Sequence, residues 1–200
     1  MPKVVDHEQR RRQIAEALLH VAAERGLHNA GMREVAEAAG VSVRLIQYYF
    51  GTKEQLLLFT TQYLATRLAE RAMARIKAAA APADPRTIIE AILAEGLPGD
   101  EESRSFTIVY TAYLALSLTD PALDIKPLVT NSDVVIRVVA DQLRAAREAG
   151  RLTPGCDPDL EATGLLALSA GLGSSVLGGQ RSPDEAWTVI RYHLDRLLPA

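Results

Sequence analysis

Cysteine is almost missing from this sequence: Cys156 stands alone in 200 residues. That excludes an internal disulfide framework and points to a reducing compartment, the cytoplasm. Long apolar runs are missing too. The longest uncharged stretch, from Thr163 up to Arg181, is shorter than a membrane span needs, holds several glycines and serines, and reads as a buried helix, so no membrane partner is expected. No secretory leader is expected, because the first 25 residues mix acids with Arg10, Arg11 and Arg12 and lack a continuous apolar core. The four histidines, His7, His20, His28 and His193, are scattered. No Glu-x-x-His pair, Gly-x-Ser-x-Gly or clustered Cys/His set occurs, so neither a metal or other cofactor nor an enzymatic activity is expected. The glycine-rich piece "GLGSSVLGG" misses both the dinucleotide and the P-loop spacing, and no strand precedes it. Aromatic residues make up only 5% of the chain, yet Tyr48, Tyr49 and Phe50 are consecutive.

What is present describes a folded helical protein. Apolar residues account for 48%, with charges of both signs dispersed among them. The net charge of −3 is unevenly spread: residues 1–56 hold eight Lys/Arg against seven Asp/Glu, and residues 57–200 hold fourteen against eighteen. Ile14, Ala17, Leu18, Val21 and Ala22 recur at spacings of three and four, predicting a helix over 8–24 that stops at Gly26. "MREVAEAAG" repeats the pattern and ends at Gly40, and Ser42 caps a third short helix to about Phe50. A long helix runs from Lys53 to about Ala81, closed by "AAAAPADPR". Asp84-Pro85, Asp157-Pro158 and Ser182-Pro183 each pair a capping side chain with a proline at the first helical position. Between these starts lie a helix around Phe106 to Leu118, a proline-broken region from Asp120 to Pro127, and a helix of about Ser132 to Ala149. No segment alternates with period two for long enough to predict a strand, so the fold class is all-α.

Helical geometry divides the aromatic cluster. Ile46 and Phe50 fall four apart and can join Val35, Val41 and Leu18 in a small core. Val43, Arg44, Gln47 and Tyr48 lie on the opposite side, and these side-chain types can touch base edges: Arg suits guanine, Gln suits adenine, and a valine methyl suits the thymine methyl. Tyr49 and Lys53 lie at and beyond the helix end, where a phenol and an ammonium meet phosphate. A solvated surface can carry the same residue types. Arg10, Arg11 and Arg12 favour the nucleic-acid reading, because cations early in a helix oppose its macrodipole and phosphate contact gives a reason to accept that loss.

Residues 9–57, with "VAEAAGVS" and Phe50-Gly51-Thr52-Lys53-Glu54-Gln55-Leu56, resemble the DNA-binding domain of TetR-family transcriptional regulators. Gln47 replaces a frequent tyrosine of that family, and Gly31 replaces a frequent capping threonine, which implies a less firmly capped second helix. "REAGRLTPGCDPDLEATGLLALSAGL" is similar to the approach to the last two helices of many members. The resemblance implies a three-helix helix-turn-helix DNA-binding domain over 1–52 and a larger helical effector-binding and dimerisation domain over 53–200. It implies a regulator, most often a repressor, that binds double-stranded operator DNA as a homodimer and lets go when a small-molecule effector enters. The DNA-binding candidates are Arg10, Arg11, Arg12, Arg33, Ser42, Val43, Arg44, Gln47, Tyr48, Tyr49, Thr52 and Lys53.

One short helix reads three or four base pairs, so two copies are needed to select a site. Leu165, Leu168, Leu172 and Val176, interspersed with Gly171, Gly173, Ser174 and Ser175, form the candidate dimer surface; the competing reading makes this helix central to one subunit. Phe106, Tyr110 and Tyr113, with Met73, are the candidate effector-pocket residues, although aromatics at this spacing also serve as ordinary core. A helical ligand carrier or interaction module without DNA binding is the contrasting hypothesis, and Arg44, Tyr49 and Lys53 speak against it.

Overall fold

The computed structural model of the chain describes residues 6–79, 84–121 and 123–199. Among them are nine α-helices: α1 His7–Arg25, α2 Met32–Ala39, α3 Val43–Phe50, α4 Lys53–Ala78, α5 Pro85–Glu95, α6 Glu101–Thr119, α7 Lys126–Glu148, α8 Pro158–Leu177 and α9 Pro183–Leu197. A short 3-10 turn, Leu27–Asn29, joins α1 to α2. The chain divides into two compact units, Met1–Thr66 with Ile108–Leu123, and Arg67–Thr107 with Asp124–Ala200.

Local chemistry sets most helix ends. Asp84, Asp157 and Ser182 cap α5, α8 and α9 through their side chains, and each is followed by the proline. Ser182 and Glu185 complete a reciprocal capping box. Gly40 ends α2 at φ 64°, a left-handed conformation that costs a side-chain-bearing residue more. Gly31 opens α2 without a side-chain cap, as its substitution for threonine implies. Two starts differ from the sequence expectation. Helix α7 begins at Lys126, not near Ser132, because Pro127 falls in the first turn, where its missing N–H removes no hydrogen bond. Helix α6 begins at Glu101 instead of near Phe106; Asp100 accepts from the Ser103 N–H at 2.9 Å and so starts the helix early. The expected end of α4 near Ala81 lies outside the described residues.

In the first unit, α1 packs on α2 and α2 on α3. Ile14, Leu18, Val35 and Ile46 are fully buried there. The second unit is built on the pairs α5 with α7, α7 with α8, and α8 with α9. Its core includes Ile89, Leu93, Val139, Leu143, Leu165 and Ile190. Helix α8 is, among the described residues, the one helix long and apolar enough to cross a membrane. Its buried residues Pro158, Ala162, Leu165, Ser169, Leu172, Gly173 and Val176 recur every three or four positions and face this core. The glycine-rich segment has a packing reason as well: a Cβ on Gly173 would stand 3.2 Å from the Gly96 carbonyl oxygen. The absent side chain lets α8 approach the α5–α6 corner closely.

That corner also carries charge. Arg67, Arg71 and Arg75 are spaced one turn apart on α4 and pair with Glu95, Asp100 and Glu102. Arg71 touches all three carboxylates and Arg75 touches Glu95, which is almost entirely buried. Hydrogen bonding to Arg71 holds the Asp100 carboxyl well below the usual carboxylate range. Burial pushes the Glu95 carboxyl up, against the opposing pull of Arg75 and Arg71. The two contributions to acid stability therefore have opposite signs. Asp100 stabilises the fold above the ordinary carboxylate range and loses that effect progressively as pH falls below that range toward its depressed folded value, whereas protonating Glu95 relieves a cost. Replacing Asp100→Asn should lower the melting temperature at neutral pH, and the gap to the unaltered protein should narrow below about pH 4, near the unfolded aspartate pKa. Thermal melts between pH 7 and 3 check this; a gap independent of pH would contradict the pairing.

Candidate nucleic-acid interface

Helix α3 has eight residues, too few to be stable without tertiary support. Ser42 supplies one anchor, its Oγ accepting from the Leu45 N–H at 3.2 Å. Buried Ile46 and Phe50 supply the other, with the Phe50 ring 5.4 Å from that of Phe59 on α4. Anchoring one side fixes what the other presents. Arg44, Gln47 and Tyr48 are exposed, Tyr48 by 74%, and Val43 is half-buried beside them. These four residues thus lie on the side of α3 away from Ile46 and Phe50.

The cations divide by task. Arg12 is exposed and pairs loosely with Glu8 at 3.8 Å. Arg10 donates to the Gln13 Oε1 at 2.7 Å, and Gln13 donates in turn to the Ala39 carbonyl at 2.9 Å, tying α1 to the end of α2. Arg11 turns inward: its guanidinium lies 4.2 Å from the Phe59 ring centre and 5.4 Å from that of Phe50. Arg11, expected from the sequence to contact phosphate, is only half-buried and also pairs with Glu8 at 3.7 Å, and its cation–π contact adds support beneath α3. Arg33 is exposed on α2. Acids also open α1, offsetting the cost of its early arginines: Asp6 caps it by accepting from the Glu8 and Gln9 N–H groups, and Glu8 occupies its first turn.

At the far end of α3, the exposed Thr52 caps α4, its Oγ1 accepting from the Gln55 N–H at 3.3 Å. Lys53 is half-buried and donates to the Leu27 carbonyl at 3.3 Å, so it also fastens the 3-10 turn. Tyr49 is half-buried, with its hydroxyl 2.9 Å from the His7 Nδ1. Sequence reading did not single out His7 or Gln13 for this site. Their partners lie 42 and 26 residues away, and no local pattern announces such a contact.

The remaining candidates lie in the helices after α3. Phe106, Tyr110 and Tyr113 are all on α6; Tyr113 is completely buried and the other two are half-buried. Met73 on α4 is 52% exposed. On α8, Leu165, Leu172 and Val176 belong to the core of this chain, which corrects the expectation that they form a surface. The reason is the register of the helix: its outward side carries Gly164, Ala167, Gly171 and half-buried Leu168. Cys156 is a free thiol on the α7–α8 connection, and burial, followed by the Glu161 charge, raises its pKa and keeps it protonated.

With this geometry in place, comparison with known proteins identifies the family. Residues 14–58 match the bacterial regulatory proteins of the tetR family, and residues 85–199 match the C-terminal domain of BetI-type transcriptional repressors. The chain is 32% identical over 201 residues to the HTH-type transcriptional regulator BetI of Yersinia pseudotuberculosis, covering 99% of this chain and 97% of that relative. It is 32% identical over 173 residues to the HTH-type transcriptional regulator PksA of Bacillus subtilis, covering 86% and 80% respectively. A transcriptional regulator from Saccharomonospora viridis, solved in complex with choline, superposes with a TM-score of 0.80 at 26% identity, covering 96% of this chain and 100% of the other. The outward face of α3 and these matches lead to one conclusion: the chain belongs to the tetR family of bacterial transcriptional regulators as a BetI-type repressor that binds DNA through its helix-turn-helix, and it is not an enzyme.

Proposed function

We propose that the protein acts in the bacterial cytoplasm as a homodimer, each copy placing α3 in the major groove of operator DNA, with residues 1–52 as the DNA-binding domain and 53–200 as the effector-binding and dimerisation domain. The observation that carries this reading is the exposure of Arg44, Gln47 and Tyr48 on a helix whose opposite side, Ile46 and Phe50, is buried. Arg44 and Gln47, with Val43 and Tyr48, read base edges, while Arg10, Arg12, Arg33, Ser42, Tyr49, Thr52 and Lys53 surround them and meet phosphates. Replacing Arg44→Ala should cost about 1–3 kcal/mol on the preferred duplex and relax selection at one position of each half-site. Replacing Arg12→Ala should instead weaken binding to all duplexes and flatten its salt dependence. Selection from a random duplex pool, followed by titration at several salt concentrations, separates the two effects; an unaltered preference for Arg44→Ala would overturn base reading by α3.

Dimerisation rests on the outward side of α8. Nothing lies within 4 Å of a Cβ placed on Gly164 or Gly171, and exposed Tyr192 on α9 adds an aromatic surface. Small residues let a partner helix approach closely, and a two-fold axis lets the same patch serve both copies. Gly171→Arg should convert the dimer to monomer in sedimentation velocity and abolish high-affinity operator binding; a dimer that persists unchanged would move the interface elsewhere.

For the effector we propose a small quaternary ammonium of the choline class. The choline held by the Saccharomonospora viridis regulator supports this, as does the acidic excess of residues 57–200. Phe106 and Tyr110 on α6 are the ring faces we assign to it, because such cations are recognised by aromatic π-systems. Tyr113 forms the buried side of the same helix, and Met73, the fourth candidate, is exposed on α4. Choline should bind in calorimetry and release operator DNA, and Tyr110→Ala should weaken binding several-fold, as the loss of one desolvated cation–π contact implies. Full operator binding at saturating choline would exclude it as the effector.

A further inference from the structure

His7 is exposed in the first turn of α1, and its Nδ1 lies 2.9 Å from the hydroxyl of Tyr49 on α3. The two rings are tilted at 59°, with centres 5.8 Å apart. Tyr49 also meets Tyr48 edge-on at 5.2 Å and Phe50 at a tilt, with centres 6.4 Å apart. The Tyr49 ring is therefore in contact with three rings beside the exposed face of α3.

A phenol has one proton, and a neutral imidazole has one N–H and one bare nitrogen. If the His7 Nδ1 is bare, Tyr49 spends its proton on it, and the phenol shows a phosphate only lone pairs, which repel an anionic oxygen. If Nδ1 carries the hydrogen, it donates to the phenol oxygen, and the Tyr49 O–H is free to donate to a phosphate in a charge-assisted bond. Passing from one arrangement to the other needs only a change of tautomer, with no net proton taken up. A DNA phosphate beside Tyr49 selects the second arrangement.

We propose that His7 is a positioning residue for recognition of the DNA backbone, forming a relay in which imidazole N–H donates to phenol oxygen and phenol O–H donates to phosphate. The inference rests on the proposed placement of α3 on DNA and adds to it a residue on α1 that sets the donor direction of Tyr49.

The test uses full-length His7→Ala, His7→Gln, Tyr49→Phe and the His7→Ala/Tyr49→Phe double variant. The probe is the duplex that the unaltered protein selects from a random pool. His7→Ala and Tyr49→Phe should each weaken binding roughly three- to ten-fold, the double variant no more than the weaker-binding single, and His7→Gln, which keeps an N–H donor, should recover most of the loss. Nitrogen-15 spectra of the unaltered protein should show the His7 Nδ1 protonated in the DNA complex, a signature that needs no variant to fold. Multiplicative losses in the double variant, a His7→Gln variant as weak as His7→Ala, or a bare Nδ1 in the complex would each overturn the relay. If these variants bind normally while Arg44→Ala loses sequence preference, the relay alone fails; if Arg44→Ala also keeps its preference, the placement of α3 fails with it.

Discussion

The structure of the DNA-binding unit depends on burying two side chains, Ile46 and Phe50, from one side of an eight-residue helix. A helix so short gains too few internal hydrogen bonds to persist alone, so tertiary contact sets both its existence and its rotation about its axis. Phe59 packs against Phe50, and Arg11 lies over both rings with its Nε buried and without a hydrogen-bond partner. The π-faces it covers and an exposed ion pair with Glu8 at 3.7 Å together account for a cation there. With one side of α3 fixed this way, Arg44, Gln47 and Tyr48 have only one direction to face.

Around that anchor, several polar side chains join helices that are distant in sequence. Gln13 reaches the end of α2, Lys53 holds the 3-10 turn, and His7 meets Tyr49. Tyr63 on α4 donates to Glu16 on α1 at 2.8 Å. Each such bond contributes modestly to stability, about 1 kcal/mol, yet together they hold the relative positions of α1 to α4. Geometry held before the ligand arrives lowers the entropic cost of recognition. The second unit is held by a different means: a broad aliphatic core with an arginine ladder at one corner, where Arg67, Arg71 and Arg75 balance three carboxylates and Arg71 pairs with all of them.

What was legible in the sequence was whatever is decided within a few residues. Ser42 capping α3, Gly40 ending α2 and the three proline-led helix starts are local choices, and all were predicted from spacing and residue type. The sidedness of α3 was also readable, since Ile46 and Phe50 are one turn apart. Direction relative to distant elements was not. Leu165, Leu172 and Val176 are strongly apolar, and sequence alone could not say whether they face their own subunit or a partner; the observed stripe at spacings of three and four turns them to the core. Arg11 differs from Arg10 and Arg12 only by its position on the helix, and Phe59, 48 residues on, draws it inward. Pro127 looked like a breaker because a proline stops a helix that is already under way, but here it begins one.

The central claim, that the side of α3 opposite Ile46 and Phe50 is the surface that meets DNA, is tested most directly by side-chain and amide NMR of the intact protein as its selected duplex is added. The account predicts that the resonances of Val43, Arg44, Gln47 and Tyr48 shift while those of buried Leu143 and Ile190 in the second-unit core stay in place. Saturable binding that leaves the α3 resonances unmoved would contradict it.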